Sequence, residues 1–319
     1  MDIRKLSQNI QEETGKIIVG KSDRIRLIVM SILANGHILL DDLPGVGKTT
    51  LVKTISIALG CQSGRIQFVP DLLPSDIIGM RIYNQKTGDF ELRQGLVMTN
   101  LLLADEINRA IPRTQSALLE AMEERQISID GEQFPLPAPF LVLATQNPVE
   151  SESTFRLPAA QMDRFLIRIS MGYPTPKEER RMLRNLGDEI PFDQVRPVTN
   201  AQELVEAQRQ ISQVHLSDAV ADYIVALAAA TRSHPQLKMG ASPRATRGLY
   251  RAAKVWAAME GRDFVTPDDV KTLAAPVLEH RLILDSGARF SGVSVSAILD
   301  DVLERLQGAP ELEAVAHEK

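Results

Sequence analysis

Residues 42–50 constrain the fold most, because they read DLPGVGKTT between an apolar run at 38–40 and an amphipathic pattern at 51–55. A strand, a glycine-containing loop and a helix that begins at Lys-Thr form the geometry of a phosphate-binding loop. Glycines let the backbone curve so that its N–H groups and the helix N-terminus face an anion. Asp42 stands where the strict pattern has glycine, and an ordinary turn is the alternative, but the flanking strand and helix favour nucleotide binding.

The residues in and before this loop indicate how a nucleotide and its metal ion would be held. Lys48 would neutralise the β- and γ-phosphate oxygens, and the Thr49 hydroxyl would coordinate Mg²⁺. The apolar stretch that ends at Gly20 would wall the adenine ring or, with equal weight, form a simple connection between helices. The expected nucleotide-binding residues are Val19, Gly20, Pro44, Gly45, Val46, Gly47, Lys48, Thr49 and Thr50.

The composition limits the remaining classes of function. A chain of 319 residues is long enough for one large domain or two ordinary ones. Aromatic residues make up 4% and the net charge is -5, which argues against a broad nucleic-acid interface, although an oligomer could still carry a local basic patch. The five histidines show no metal-ligand spacing, so we expect no transition-metal site.

The cysteine content and the start of the chain favour the cytoplasm. Cys61 is the single cysteine, which excludes a disulfide within the chain and fits a reducing compartment. Residues 1–5 lack the apolar core of a signal peptide, and no apolar run approaches the length of a membrane span. A cytoplasmic protein without a membrane span is therefore expected.

Short apolar runs alternate with helical patterns as far as residue 171, which predicts a largely parallel sheet covered by helices. Ligands of such sheets bind beyond the carboxyl ends of the strands, so polar residues at these ends are candidates for chemistry. The candidate strands are 37–41, 65–69, 100–105, 139–145 and 165–171.

Two of these strands end in polar residues. The run 101–104 stops at Asp105 and Glu106. Asp105 would hold the water shell of Mg²⁺ and Glu106 would polarise the attacking water, whereas the alternative is an N-cap for the residues that follow. The run 140–144 leads to Asn147, which would reach the γ-phosphate or the water, or would form a turn before proline. Beside a phosphate-binding loop, we favour the catalytic interpretation of both.

The rest of the chain predicts two hairpins and a second domain. Alternation around Asp-Gly and Thr-Gly-Asp predicts hairpins within 124–134 and 82–90. After residue 172 helical periodicity dominates, so we place an α/β domain at 1–173 and an all-helical domain at 174–319, with a frayed acidic tail after Gly308. The predicted helices of the second domain are 177–186, 200–212, 217–232, 243–259, 267–279 and 293–306.

Two helix starts in the second domain are informative. Thr175, Pro176 and Glu178 form an N-cap, a proline at the first helical position and a capping box. Arg244 lies in the first turn of a predicted helix. It would lean towards the nucleotide or remain an exposed surface arginine, and the residues alone weigh these two alternatives equally.

The assembled motifs resemble the AAA+ ATPases and, among them, the MoxR family. The resemblance covers most of residues 17–176 and implies an AAA+ P-loop NTPase core with a mainly parallel five-stranded sheet, followed by a C-terminal helical lid. The segments that carry it are 42–50, 68–79, 102–109, 115–124, 144–148 and 157–165.

The resemblance implies a ring, commonly a hexamer, with ATP bound between subunits. It assigns Lys48, Thr49, Asp105 and Glu106 the roles given above, makes Asn147 the residue that senses the γ-phosphate, and matches Arg164 to an arginine finger that reaches a neighbour's site. An ion pair of Arg164 with Asp163 or another acid of its own chain is the alternative. Arg244 matches the second sensor, and the resemblance does not decide whether it acts within its own subunit or across the interface. The two hairpins match the insertions of this clade.

Three segments depart from the usual family pattern: Gly95-Leu96, residues 151–154 and residues 157–160. None lies on the phosphate site, so hydrolysis is still expected. Ala159 replaces a usual acid near the expected subunit interface, which leaves the geometry of that interface open.

The leading hypothesis is an ATP-hydrolysing, chaperone-like motor that remodels or activates a client protein complex. The resemblance also suggests insertion of a metal cofactor and a partner with a von Willebrand A domain. A nucleic-acid motor of the same clade is the second hypothesis, against which the acidity and the few aromatic residues count. A nucleotide-gated binding module with little turnover is the third.

Overall fold

The computed structural model describes residues 1–41, 45–147, 155–186 and 190–307. The strands are β1 (His37–Asp41), β2 (Ser63–Gln67), β3 (Gly79–Asn84), β4 (Asp89–Gln94), β5 (Leu101–Asp105), β6 (Gln126–Ile129), β7 (Glu132–Pro135), β8 (Leu141–Gln146), β9 (Phe165–Ile169), β10 (Leu237–Met239) and β11 (Ile283–Leu284). The helices are α1 (Ile3–Gly15), α2 (Ser22–Leu33), α3 (Lys48–Ala58), α4 (Pro74–Ile78), α5 (Pro112–Glu124), α6 (Ala159–Met162), α7 (Pro176–Leu186), α8 (Ala201–Ile211), α9 (Asp218–Ser233), α10 (Pro243–Met259), α11 (Pro267–Leu278), α12 (Ser286–Phe290) and α13 (Val295–Gln307).

The central sheet has five parallel strands in the order β2-β5-β8-β1-β9. Each overlaps one of the five candidate strands, which confirms the predicted α/β sheet. Successive residues of a strand belong to different cores: Leu39 packs in one apolar cluster, and Ile38 and Leu40 pack in another. Helices therefore cover both faces of the sheet, which explains why its strands read as continuous apolar runs.

The two predicted hairpins are confirmed as antiparallel pairs, β3 with β4 and β6 with β7. Arg81 on β3 donates to Glu132 on β7 over 2.5 Å, so the two hairpins contact each other. The rings of Tyr83 and Phe90 meet edge to face with centroids 5.4 Å apart, and these side chains are 56% and 66% exposed. The hairpins thus present an aromatic pair to solvent.

The second half of the chain is mainly helical, and the six predicted helices correspond to α7, α8, α9, α10, α11 and α13. The structure differs from the prediction in one respect, because β10 and β11 form a small antiparallel sheet in the domain predicted to be all-helical. These strands are three and two residues long, too short for a two-residue period to be visible in the sequence.

A continuous apolar core joins the two halves of the chain. Ile3, Leu6 and Ile10 of α1 belong to the same buried cluster as Leu204 of α8 and Leu249 of α10. The first helix therefore packs against α10 of the helical half, and α2 packs against α8 and α10 as well as against the sheet. The expected boundary between residues 173 and 174 separates segments that share this core.

In the part of the chain that the structure describes, no helix combines the length and apolar character required to cross a bilayer. The acidic tail that the sequence predicts after Gly308 lies outside the described residues. Asp42, Pro44 and the segment 151–154 lie outside them too.

Candidate nucleotide-binding site

The phosphate-binding loop leads directly into α3. Gly45 and Gly47 both have φ of +82°, a left-handed conformation that favours glycine. A Cβ added at either glycine would meet no atom within 4 Å, so the space around this part of the loop is open. Lys48 is the first residue of α3 and is buried, whereas Thr49 is exposed. The first N–H groups of a helix make no hydrogen bond within the helix, so together with the helix dipole they provide a binding position for an anion.

A cavity of about 580 Å³ lies between this loop and α7. Its polar side is formed by the loop, and its apolar side includes residues from before α2 and from α7. The lining residues are Ile17, Ile18, Val19, Lys21, Gly45, Val46, Gly47, Thr50, Leu51, Met171, Gly172, Tyr173, Pro174, Glu179, Met182, Leu183 and Ile190. An apolar pocket beside a phosphate-binding loop has the chemistry to hold a base.

Val19 lines this cavity and Gly20 does not. Gly20 has φ of +75°, and a Cβ there would collide with the Glu178 carboxylate at the start of α7. Glu178 also accepts from the N–H of Thr175, which confirms the predicted capping box, and these hydrogen bonds lower the pKa of the Glu178 carboxyl. Gly20 therefore lets α7 approach the loop, and its contribution is to the shape of the site.

Sequence reasoning missed the residues that α7 brings to the cavity. Met182 and Leu183 are adjacent apolar residues in a helix that is otherwise almost entirely polar. Leu183 is 81% exposed although it is large and apolar. This apolar pair in a charged helix could be seen in the sequence. Its role in the cavity follows only from the packing of α7 over the loop.

Asp105 and Glu106 lie at the carboxyl end of β5, as expected. The Thr145 hydroxyl on β8 donates to Asp105 over 2.7 Å and accepts from the N–H of Glu106 over 2.8 Å. Glu106 has φ of 55°, which turns the chain sharply after the strand. One hydroxyl thus orders both acids. Thr145 was not among the candidate residues, because a threonine in an apolar strand is typical of an ordinary strand residue.

The two carboxylates have further partners. Arg65 donates to Asp105 over 2.8 Å, and Gln67 donates to Glu106 over 2.8 Å. Arg109 donates to Glu106 over 3.0 Å. Glu106 occupies the N-cap position of the turn that follows it, but its side chain makes no capping hydrogen bond to that turn.

Asn147 follows β8 and is buried. Since β8 lies between β1 and β5, this residue is at the same edge of the sheet as the loop and the two acids. The Asn108 side chain lies 3.5 Å from the Asn147 carbonyl oxygen, at the limit of a hydrogen bond. The structure therefore brings together the expected residues Lys48, Thr49, Asp105, Glu106 and Asn147 at one edge.

Arg164 and Arg244 are brought together at a different place. Both pair with Glu123 at the end of α5: the Arg164 Nε lies 3.0 Å from Glu123 Oε2, and Arg244 donates to Oε1. They line a second cavity of about 390 Å³, together with His37 at the amino end of β1. The loop follows the opposite end of β1, and among the residues that the structure describes, none lines both cavities. Neither arginine therefore lies against the loop of its own chain.

Comparisons with known proteins agree with this architecture. The sequence matches the ATPase family associated with various cellular activities (AAA) over residues 37–167 and the AAA lid domain over residues 229–302. It is 43% identical to Chaperone MoxR1 of Mycobacterium tuberculosis, over 95% of this chain and 82% of that protein. It is 32% identical to Protein MoxR of Methylorubrum extorquens, over 89% of each chain. A crystal structure from Cytophaga hutchinsonii superposes with a TM-score of 0.89 at 40% identity, covering 95% of this chain and 94% of that one.

Proposed function

Since this chain belongs to the MoxR family of AAA+ ATPases, we propose that it uses ATP hydrolysis to remodel, mature or activate a client protein complex. The family is one of chaperone-like ATPases that bind ATP. The observation that carries the proposal is the hydrogen-bonded arrangement of Asp105, Thr145 and Glu106 beside the loop. In the proposed mechanism Asp105 would face a metal ion and Glu106 would face the attacking water.

In this proposal Lys48 and the N–H groups of α3 hold the phosphates, with the base in the apolar cavity under α7. The Thr49 hydroxyl and the Asp105 carboxylate are the hard oxygen donors that Mg²⁺ prefers, so the residues fit that ion. When bound, Mg²⁺ would neutralise phosphate charge. Glu106 would polarise the attacking water, and Asn147 would contact the γ-phosphate or that water.

We also propose that Arg164 and Arg244 act on the nucleotide of a neighbouring copy. The support is their distance from their own loop, since they line a cavity near the amino end of β1 and pair with the same Glu123. A guanidinium supplied by a neighbour stabilises the charge of the transition state. Such a site needs at least one neighbouring copy, and we expect the copies to assemble as a ring of six.

The exposed side chains of the first hairpin indicate where a client protein would bind. Tyr83 and Phe90 on the first hairpin are exposed aromatic residues of the kind that contact protein partners, so we assign client contact to this hairpin. Insertion of a metal cofactor and a partner with a von Willebrand A domain belong to the same proposal. We place this activity in the cytoplasm, where the lone Cys61 would stay reduced.

The test is the ATPase rate as a function of protein concentration, with particle mass measured in parallel. We expect specific activity to rise as copies assemble, and we expect Arg164→Ala to lower turnover by about 1000-fold while ATP still binds. Glu106→Gln should abolish turnover too. Arg209→Ala is the matched control, because Arg209 is an exposed arginine that lines neither of the two cavities. A single chain that hydrolyses ATP equally well without Arg164 would contradict the shared site.

A further inference from the structure

The second cavity is strongly cationic. Six arginines line it, and two of them, Arg164 and Arg244, pair with Glu123. Asp163 is the other carboxylate among the described lining residues, and it pairs with the buried Arg281. Both acids are thus already engaged. The remaining lining arginines are Arg125, Arg247 and Arg251.

Arg281 is the deepest of these cations, since its side chain is only 3% exposed. Its Nη2 donates to the Phe165 carbonyl over 2.6 Å, and its Nε lies 3.0 Å from Asp163. Its Nη1 has no acceptor among the residues that the structure describes. Gly248 makes room for this group, because a Cβ there would lie 3.0 Å from Nη1. A buried N–H donor without an acceptor is costly, so a ligand that accepts from it would be stabilised.

The arginines also repel one another. Burial and the neighbouring Arg251 lower the pKa of Arg125 to about 10. Burial lowers the pKa of Arg281 to about 10 as well, with Asp163 opposing the change and Arg251 and Arg244 adding to it. This concentration of positive charge stands out in a chain whose net charge is -5. An anion in the cavity would relieve the repulsion.

We propose that this cavity binds a phosphate-type oxyanion between Arg125, which lies next to the sheet, and Arg247, Arg251 and Arg281 of the helical half. A volume of about 390 Å³ suits a small ligand rather than a folded segment. Guanidinium groups donate paired N–H bonds in the geometry that phosphate oxygens accept. The site is distinct from the loop of the same chain. Binding of a free anion there goes beyond the proposed function, whereas binding of a neighbour's nucleotide phosphate rests on the proposed shared site.

The oxyanion has two possible sources, a free anion in solution or a phosphate group of the nucleotide held by a second copy. The first arm of the test is calorimetric titration with pyrophosphate. It is done at a protein concentration at which the measured particle mass is that of a single chain. The titration uses Lys48→Ala, which removes the loop lysine as a competing cation. We expect one pyrophosphate per chain, and an affinity reduced by about tenfold or more when Arg251→Ala is added.

Two control variants make the result specific. Arg251→Lys keeps the charge and should recover part of the affinity, while Arg209→Ala removes an exposed arginine elsewhere and should leave the affinity unchanged. Thermal unfolding of each variant establishes that it is folded. Equal pyrophosphate affinity in Arg251→Ala and Arg209→Ala would overturn the proposal.

The second arm applies when single chains bind no pyrophosphate. Association of chains with intact Lys48 is then measured with a slowly hydrolysed ATP analogue. If Arg251→Ala weakens this association by about tenfold or more and Arg209→Ala does not, the oxyanion is the nucleotide phosphate of a second copy. If neither substitution weakens it, the proposal is wrong. ATPase rates are measured separately, so that failure of the anion site is distinguishable from failure of the hydrolytic function.

Discussion

At the scale of single residues, one hydroxyl contacts both acids of the proposed catalytic site. The Thr145 side chain both donates to Asp105 and accepts from the Glu106 backbone, so it fixes two acids with different proposed tasks. The two acids could be predicted from the sequence, because an apolar strand that ends in carboxylates is unusual. The threonine could not, since its role depends on a neighbouring strand forty residues along the chain.

We predict that Thr145→Val lowers the ATPase rate constant by about 100-fold, because it leaves a carboxylate oxygen and an N–H group without their partner. ATP affinity should change by less than about threefold, since the loop is intact. Thr145→Ser keeps the hydroxyl and should retain most of the activity. Steady-state rates and fluorescent-nucleotide binding measure the two quantities, and an unchanged rate in Thr145→Val would contradict the assigned role.

Two buried histidines give the stability a dependence on pH. His37 accepts from the N–H of Val142 at Nδ1 and lies 3.0 Å from the Met122 carbonyl at Nε2, which requires the neutral ring. Burial, with Arg125 adding to it, lowers the pKa of His37 well below 6.5. Burial likewise lowers the pKa of His280 to about 3. The unfolded chain therefore binds protons that the folded chain does not, so stability is lost as pH falls below 6.5.

We predict that His280 costs the wild type about 1.4 kcal/mol of folding stability for each pH unit below 6.5, and that His280→Gln abolishes this loss. The glutamine Nε2 can still donate to the Phe165 carbonyl, so the effect at pH 7.5 should be small. Denaturant unfolding at pH 7.5 and pH 5.5 measures the difference. The exposed Val225 provides the control, since Val225→Gln changes no titratable group and should leave the pH dependence as it is in the wild type. Identical pH dependence in His280→Gln and wild type would refute the assignment.

At the scale of elements, the sheet and hairpins were predictable because each has its own period in the sequence. Parallel strands buried on both faces read as apolar runs, and the hairpins alternate around Asp-Gly and Gly-Asp. The position of α7 over the loop was not predictable, because it depends on the left-handed Gly20 and its close approach to Glu178. The small sheet of β10 and β11 was not predicted for a different reason, because its strands are too short to show a two-residue alternation of apolar residues.

The packing of α7 makes a prediction about nucleotide affinity. Leu183→Asp would place a charge in the apolar side of the cavity, so we expect ATP affinity to fall by about tenfold with little change in the maximal rate. Stability should change by less than about 0.5 kcal/mol, because Leu183 is largely exposed. Val225→Asp on α9 is the matched control, as Val225 is also exposed and lies outside the cavity. Unchanged affinity in Leu183→Asp would remove α7 from the nucleotide site.

At the scale of the whole molecule, the proposed role of the arginines requires two copies for one complete site, because the acids and the arginines of one chain lie apart. Mixing two inactive variants tests this requirement. In rings assembled from equal amounts of Glu106→Gln and Arg164→Ala, about a quarter of the interfaces would combine an intact Glu106 with an intact neighbouring Arg164.

We therefore predict that the mixture recovers a fraction of wild-type ATPase activity on the order of one quarter, although each variant alone is inactive. Mixing Glu106→Gln with Lys48→Ala is the control, because both substitutions lie in the same half of the site and no interface between these two variants is complete. Activity is measured after the chains are exchanged and mass shows mixed assemblies. No recovery in such assemblies would mean that each chain carries its own arginines.

The apolar core shared by α1, α2, α8 and α10 has a mechanical consequence. Close-packed protein interiors are nearly incompressible. Helix α10, which begins beside Arg244, therefore cannot move independently of α1 and α2, which precede β1. A displacement imposed on Arg244 by a neighbour would reach the strand that ends at the loop as a rigid tilt. In an assembly of the proposed kind, stiffness within each chain would make the contact between chains the most deformable part.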